Sequence, residues 1–229
     1  MRFYEHIAVS YDNIFPLNQK TLNFLKTAFK NQTYLLDVGC ATGSYANALS
    51  SDFNVEAIDF DSQMINYALK KHSNVQFKVM DMKNIEGHYD GIYCIGNTLA
   101  HLNDETEIKN MVEKFYHCLN ENGTLVIQIV NYERILKNHI ETLPLIKNDK
   151  VEFIRHYQFN LPYLNFSTTL NTQNQTFKQT TKLYPIQYET LMKMLKEAHF
   201  NDIVCYGSFD YARFDLESSF SLVIKARKS

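Results

Sequence analysis

The chain has 229 residues, a formal net charge of −2, 45% hydrophobic and 21% charged residues, an ordinary globular composition sized for one large domain. It has no run of about 18 apolar residues, no basic-then-apolar leader and no basic tract, so a membrane span, a secretory signal and a nucleic-acid partner are not expected. The four cysteines are scattered without a CxxC and the eight histidines form no HExxH, so neither a zinc site nor a disulfide framework is expected, and a cytoplasmic setting is.

After a mixed aromatic and polar N-terminal stretch, Leu17, Leu22, Leu25, Ala28 and Phe29 recur at helical spacing. Residues 34–38 read as a buried strand, 43–50 as a short helix, 53–58 as a second strand and 62–71 as a helix. Strands at 75–80 and 89–95 follow. Asp104 and Glu107 form a capping-box-like start to a helix carrying Ile108, Met111, Val112, Phe115 and Leu119, with Asn122-Gly123 as its stop. A fifth strand is expected at 124–130. Strands alternating with helices in this way predict βαβ units and a mostly parallel sheet.

From about residue 150 the texture changes to Thr, Phe and Tyr broken by turn signals. This predicts an inserted antiparallel β lid over about 150–184, within a single domain spanning 1–229. A helix after Pro185 and strands at 202–206 and 220–226 close the chain.

Glycine is scarce, with seven in all, yet Gly39 and Gly43 lie four residues apart in Leu35-Leu-Asp-Val-Gly-Cys-Ala-Thr-Gly43-Ser. A strand runs into a glycine loop and then a helix, so the backbone can pass close to a ligand. Asp37 falls at the carboxyl end of that strand, where open α/β sheets bind ligands. Gly43 is followed by Ser, so this is not a P-loop, and GxGxxG is absent, which argues against a nicotinamide dinucleotide. Asp59 ends the second strand, placed to accept ribose hydroxyls or to cap the next helix; Asp61 or Ser62 suits the capping better. Asp81-Met82 follows the third strand, where a carboxylate and a backbone amide can read a purine edge. Gly96 falls at the end of the fourth strand on the same rim, and Gly91 and Gly123 read as turn punctuation.

Together, Asp37-Val-Gly-Cys-Ala-Thr-Gly43, Asp59 and Asp81 resemble the class I S-adenosylmethionine-dependent methyltransferases. The resemblance implies an α/β, Rossmann-like, seven-stranded mostly parallel sheet with helices on both faces and its last strand antiparallel. It implies S-adenosylmethionine as cofactor, with Asp37, Gly39, Cys40 and Gly43 at the methionine end and Asp59 on the ribose. Phe60 and Met64 would flank the adenine, Asp81 and Met82 would read its edge, and Ile95 would complete the lining. Cys94-Ile-Gly-Asn97-Thr-Leu-Ala-His101-Leu and Asn131-Tyr132-Glu are similar to the glycine and sarcosine N-methyltransferases. There the asparagine corresponding to Asn97 and an arginine before the second motif bind substrate.

Val130 occupies that arginine position and cannot pair with a carboxylate. Asn97, Asn131 and Arg155 are the candidate substrate residues, Arg155 as a cation supplied from the insert. His101 is the candidate general base, or a loop-tying histidine. Tyr11, in an N-terminal segment that in this family often folds over the cofactor, is the second catalytic candidate, or a core tyrosine. The expected reaction is methyl transfer to nitrogen or oxygen of a small-molecule acceptor; a non-catalytic module binding the cofactor or its product is the alternative.

Overall fold

The computed structural model describes residues 2–229, and side chains from Ile7 onward; residues 4–6 of the N-terminal segment singled out above lie outside the described side chains. Helix α1 (Arg2–Ile14) and helix α2 (Gln19–Ala28) precede the alternating core of β1 (Tyr34–Val38), α3 (Ser44–Leu49), β2 (Asn54–Asp59), α4 (Ser62–Lys71), β3 (Gln76–Val79), β4 (Tyr89–Cys94), α5 (Glu105–Cys118) and β5 (Leu119–Val130). Helix α6 (Tyr132–Lys137) leads to β6 (Ile146–Lys147), β7 (Val151–Asn160), β8 (Tyr163–Thr172) and β9 (Thr176–Leu183). Helix α7 (Tyr188–Glu197), β10 (Asn201–Tyr206) and β11 (Ser221–Arg227) complete the chain.

The main sheet has seven strands in the order β10-β11-β5-β4-β1-β2-β3. Strand β11 runs antiparallel to both β5 and β10. The central strands β1 and β4 are apolar on both faces because helices cover both. Leu36, Ile92 and Ile127 face a core shared with α5 and α7, whereas Leu35, Tyr93 and Val126 face one shared with α2 and α3. The reversal of strand order between β1 and β4 opens a crevice at their carboxyl ends, the usual ligand position in such sheets.

Several local expectations change. The N-terminal stretch is a helix, α1. Asp104 does cap α5, accepting from the Glu107 amide at 2.9 Å, but the Glu107 carboxylate reaches one residue further back, to the Asn103 amide. Helix α5 ends at Cys118 rather than at Asn122-Gly123, which instead form an irregularity within β5: Tyr89 pairs with Leu119 and Gly91 with Thr124. Gly91 is not a turn glycine. It lies inside β4, where a Cβ would come within 2.6 Å of Phe29 and 2.7 Å of Leu35.

The insert forms a separate antiparallel sheet in the order β6-β7-β8-β9. Its inward face is layered. Phe153, Leu170 and Phe177 pair across the strands at one end, and Phe159, Leu164 and Leu183 at the other. Between them lie Arg155, Thr168 and Gln179, then Tyr157, Phe166 and Thr181. A mostly polar band thus crosses the middle of the inward face. The first apolar layer packs on α1 through Ile14, and Phe15 meets Phe153 edge-on at 5.8 Å. The other end joins the main core, and the Tyr184 amide there donates to the Ala100 carbonyl at 2.8 Å.

Candidate active site

The loop after β1 is held by protein acceptors. The Gly39 and Cys40 amides donate to the Ile58 carbonyl at 2.8 and 2.9 Å, and the Gly43 amide donates to Cys40. The Ala41 amide donates to Asp59 Oδ2 at 2.8 Å. Four of the loop's amides are thus used internally. Gly39 and Gly43 both have positive φ, +78° and +75°, a region that disfavours side chains. Their bare faces turn toward protein: a Cβ would lie 2.4 Å from Thr98 at Gly39 and 2.4 Å from the Phe77 ring at Gly43. The expected close approach therefore occurs, but on these faces it is made by the scaffold. Cys40 is buried beside them.

Asp37 and Asp59 end adjacent parallel strands. Asp59 is not free of local bonds: besides Ala41, its Oδ1 accepts from the Asp61 amide at 2.9 Å, while Asp61 caps α4 by accepting from Gln63. Each Asp59 oxygen carries one amide and keeps a further lone pair for a ligand. Burial raises the Asp59 carboxyl above its usual range despite those two amides. Asp37 is 3% exposed, and burial pushes its carboxyl up to about 8; the nearby Tyr93 hydroxyl, which completes no formed hydrogen bond, opposes that rise and the charge of Asp59 adds to it. No lysine or arginine among the described residues pairs with either carboxylate. Such a pair favours a ligand carrying positive charge.

That arrangement sets a pH dependence. At pH 7 Asp37 holds a proton in the free protein, because its raised value lies above 7. A cation bound beside it favours the charged form, so binding expels the proton. Affinity for a cationic ligand should then fall as pH drops below about 8, by up to about tenfold per pH unit. Calorimetry at pH 7 in two buffers of different ionisation enthalpy should show close to one proton released, and buffer-independent heats would contradict it.

Tyr11, on α1, enters the same crevice. Burial, and then the charges of Asp59 and Asp37, raise its hydroxyl well above the ordinary range, so it remains a neutral donor. Phe60 is 78% exposed and Met64 buried, on either side of the first turn of α4. Asp81 divides its carboxylate: Oδ1 accepts from the Lys83 amide at 2.9 Å, capping a short 3-10 turn, and Oδ2 stands 3.8 Å from Lys83 Nζ. Met82 is half-buried against the main core. Ile95 packs against the opposite core, and its carbonyl accepts from Thr98 Oγ1 at 2.8 Å.

The acceptor-side candidates fare differently. Asn97, in a left-handed conformation at φ +69°, is not a free amide: its Oδ1 accepts from the Val130 amide at 3.0 Å and its Nδ2 donates to the Tyr132 hydroxyl at 2.9 Å. Tyr132 in turn adjoins Tyr157 in the polar band of the inserted sheet. Asn97 therefore reaches the inserted sheet through two tyrosines.

Asn131 is 1% exposed. Its Nδ2 donates to the carbonyls of Leu216 and Ser219 at 2.9 and 3.0 Å and approaches that of Asp215 at 3.4 Å, while its Oδ1 caps α6. Its amide nitrogen anchors the loop before β11 and its oxygen the start of α6, so both polar atoms of this side chain already serve the scaffold. Asn131→Ala should cost about 2–4 kcal/mol, because it strands buried carbonyls and a helix cap; thermal unfolding checks this.

Arg155 donates from Nη2 to the Pro144 carbonyl at 2.7 Å, which pins the guanidinium, while its buried Nε has no partner. No carboxylate pairs with it among the described residues. His101 is reached by solvent, yet desolvation by surrounding protein lowers its imidazole below the usual range.

Asp12, Thr98, Tyr93 and Tyr132 shape this region without having stood out as site residues in the sequence. The adjacency of Asp12 to Tyr11 and of Tyr132 to Asn131 were the signals available.

A family model described as a methyltransferase domain matches residues 35–123. The chain is 23% identical over 211 residues to a glycine/sarcosine N-methyltransferase of Halorhodospira halochloris, covering 87% of this chain and 77% of that protein. It is 24% identical to a glycine/sarcosine/dimethylglycine N-methyltransferase of Actinopolyspora halophila, spanning 36% of that longer protein. Among solved structures, an S-adenosylmethionine-dependent methyltransferase of Clostridium acetobutylicum superposes with a TM-score of 0.83 at 18% identity, covering 99% of both chains. The CcbJ methyltransferase of Streptomyces caelestis gives 0.82 at 18% identity over 99% of this chain and 98% of that one.

Proposed function

Because this chain belongs to the class I S-adenosylmethionine-dependent methyltransferases, we propose that it moves a methyl group to nitrogen or oxygen of a small-molecule acceptor by in-line displacement. The observation that carries this reading is the adjacent carboxylates of buried Asp37 and half-buried Asp59, neither with a cationic partner among the described residues, beneath Tyr11. S-adenosylmethionine, when bound, supplies a methyl group activated by its sulfonium. The residues fit it: Asp37, Gly39, Cys40 and Gly43 would enclose the methionine end and Asp59 would hold the ribose through its spare lone pairs. Phe60 and Met64 would flank the adenine, Asp81 and Met82 would meet its edge, and Ile95 would line the floor.

For the acceptor, the chain's task is positioning and exclusion of water, with the nucleophile about 3 Å behind the methyl carbon. The neutral imidazole of His101 is suited to take a proton from an amine or hydroxyl. Tyr11 shields the methyl and donates a hydrogen bond. Asn97 acts through Tyr132 on the lid band, and Arg155, pinned and unpaired, favours an acceptor with an anionic oxygen. Relatives named for glycine and sarcosine support a small amine. The proposal includes a cytoplasmic setting, supported by four unpaired cysteines, and one domain in which residues 150–184 serve as the lid on the acceptor side.

Formation of S-adenosylhomocysteine over a panel of amino acids, their amides, amino sugars and phenols tests this. Turnover with at least one member, slowed in His101→Ala, is expected. An enzyme that binds the cofactor yet transfers methyl only to a macromolecule would overturn the small-acceptor reading.

A further inference from the structure

We propose that Asp12 is a positioning residue that latches α1 across the cofactor crevice, and that α1 transmits the state of the cofactor loop to the lid sheet. The inference rests on the cofactor lying at Asp37 and Asp59, as above. One carboxylate on α1 gathers three donors, from the glycine loop, α3 and α4. Asp12 Oδ1 accepts from Thr42 Oγ1 at 2.6 Å and from Ser44 Oγ at 3.0 Å, both on the glycine loop and the start of α3. Its Oδ2 pairs with Lys71 Nζ, in the last turn of α4. Hydrogen bonds to an ionised acceptor are the stronger kind, and here they fix the depth of Tyr11, the neighbouring residue on the helix, over the two crevice carboxylates. The same contacts hold the Asp12 carboxyl below its usual range, so the latch is charged throughout the physiological range.

Other α1 side chains, and the residues just past its end, belong to the lid. Ile7 and Ile14 pack with Val151, Phe153 and Leu170. Phe15 meets Phe153 edge-on, and the Asn13 carbonyl accepts from Asn148 Nδ2 at 2.8 Å. One short helix is therefore bonded to the cofactor loop by charge and to the lid by apolar contact. The polar band of Arg155, Thr168 and Gln179 lies in the layer next to the one α1 touches. Releasing Asp12 frees the helix from the loop while leaving its apolar seat on the lid, so helix and lid move away from the cofactor together. Asp12 thus governs how long the cofactor stays and whether the acceptor side is formed around it.

The test uses the full chain with S-adenosylhomocysteine as probe, at 15 °C, where far-ultraviolet circular dichroism confirms each variant is folded. In Asp12→Asn the affinity should fall about tenfold or more, chiefly through faster dissociation, as expected for losing charge-assisted bonds. Thr42→Val, which removes one donor from the opposite side, should shift the same way by a smaller factor. If Asp12→Asn does not fold, Thr42→Val and Lys71→Met carry the test. Hydrogen exchange should show residues 151–170 slowed by S-adenosylhomocysteine in the wild type and much less so in the variants. A merely structural role would lower the melting temperature and leave dissociation and lid protection unchanged. Folded variants that bind and release the probe within twofold of wild type overturn the latch, and lid exchange indifferent to the probe in wild type overturns the coupling. A wild type that does not bind the probe at all fails the cofactor reading itself.

Discussion

Asp59→Ala is expected to weaken S-adenosylmethionine binding by about 100-fold or more, since two hydrogen bonds from ribose hydroxyls to a charged acceptor contribute about 3–5 kcal/mol together. The loss has a second origin in the same side chain. Asp59 also accepts from the Ala41 and Asp61 amides, so its removal leaves two amides unpaired at the rim and loosens the glycine loop proposed to enclose the methionine end. Asp59→Asn separates the contributions only in part, because an amide retains one acceptor oxygen and presents its two N–H groups toward donors. Its affinity should lie near that of the alanine variant. Asp81→Ala provides the contrast: it is placed to accept from one amino group at the adenine edge, a single contact, and the expected loss is about tenfold. Titration calorimetry at a fixed pH of 8 compares the three, and equal affinities for wild type and Asp59→Ala would contradict the placement of the ribose.

The second large effect is on stability. Gly43→Ala should cost about 3–4 kcal/mol: about 1 kcal/mol for an alanine held at φ +75° and the remainder for a Cβ placed 2.4 Å from two atoms of the Phe77 ring. For a domain of this size that lowers the melting temperature by roughly 6–16 °C. Gly96 separates the two causes. Its φ is +76°, but a Cβ there has nothing within 4 Å, so Gly96→Ala should cost only about 1 kcal/mol. Phe77→Leu removes the offending ring atoms, and the double variant should recover part of the Gly43→Ala loss despite the cost of the smaller core side chain. Equal melting temperatures for Gly43→Ala and Gly96→Ala would show that backbone conformation alone decides both.

These effects also mark what can be read from the chain. The alternation of strands and helices, the capped start of α5 and the change of texture near residue 150 were legible because each depends on periodicity and turn chemistry within a short window. The acidic ends of β1 and β2 were legible for the same reason: a carboxylate just after an apolar run stands at a sheet edge. What a polar residue does at such an edge was not. Asn131 and Asn97 lie just past strand ends, much as Asp37 and Asp59 lie at them, but their partners lie in the segment before β11, at the end of β5 and at Tyr132, far along the chain. Asp12 was missed for that reason, since its donors are 30, 32 and 59 residues away. The glycines were recognised as special, but the space they leave is filled by Thr98 and Phe77, which only the fold brings there.

A co-crystal with S-adenosylhomocysteine tests the central claim most directly. The expected result is one nucleoside per chain at the carboxyl ends of β1 and β2, its ribose hydroxyls about 3 Å from Asp59 and its ammonium near Asp37. Its sulfur should lie beneath Tyr11, toward the lid band of Tyr157 and Arg155. A nucleoside bound elsewhere, or one at this crevice with its ribose turned away from Asp59, would contradict it.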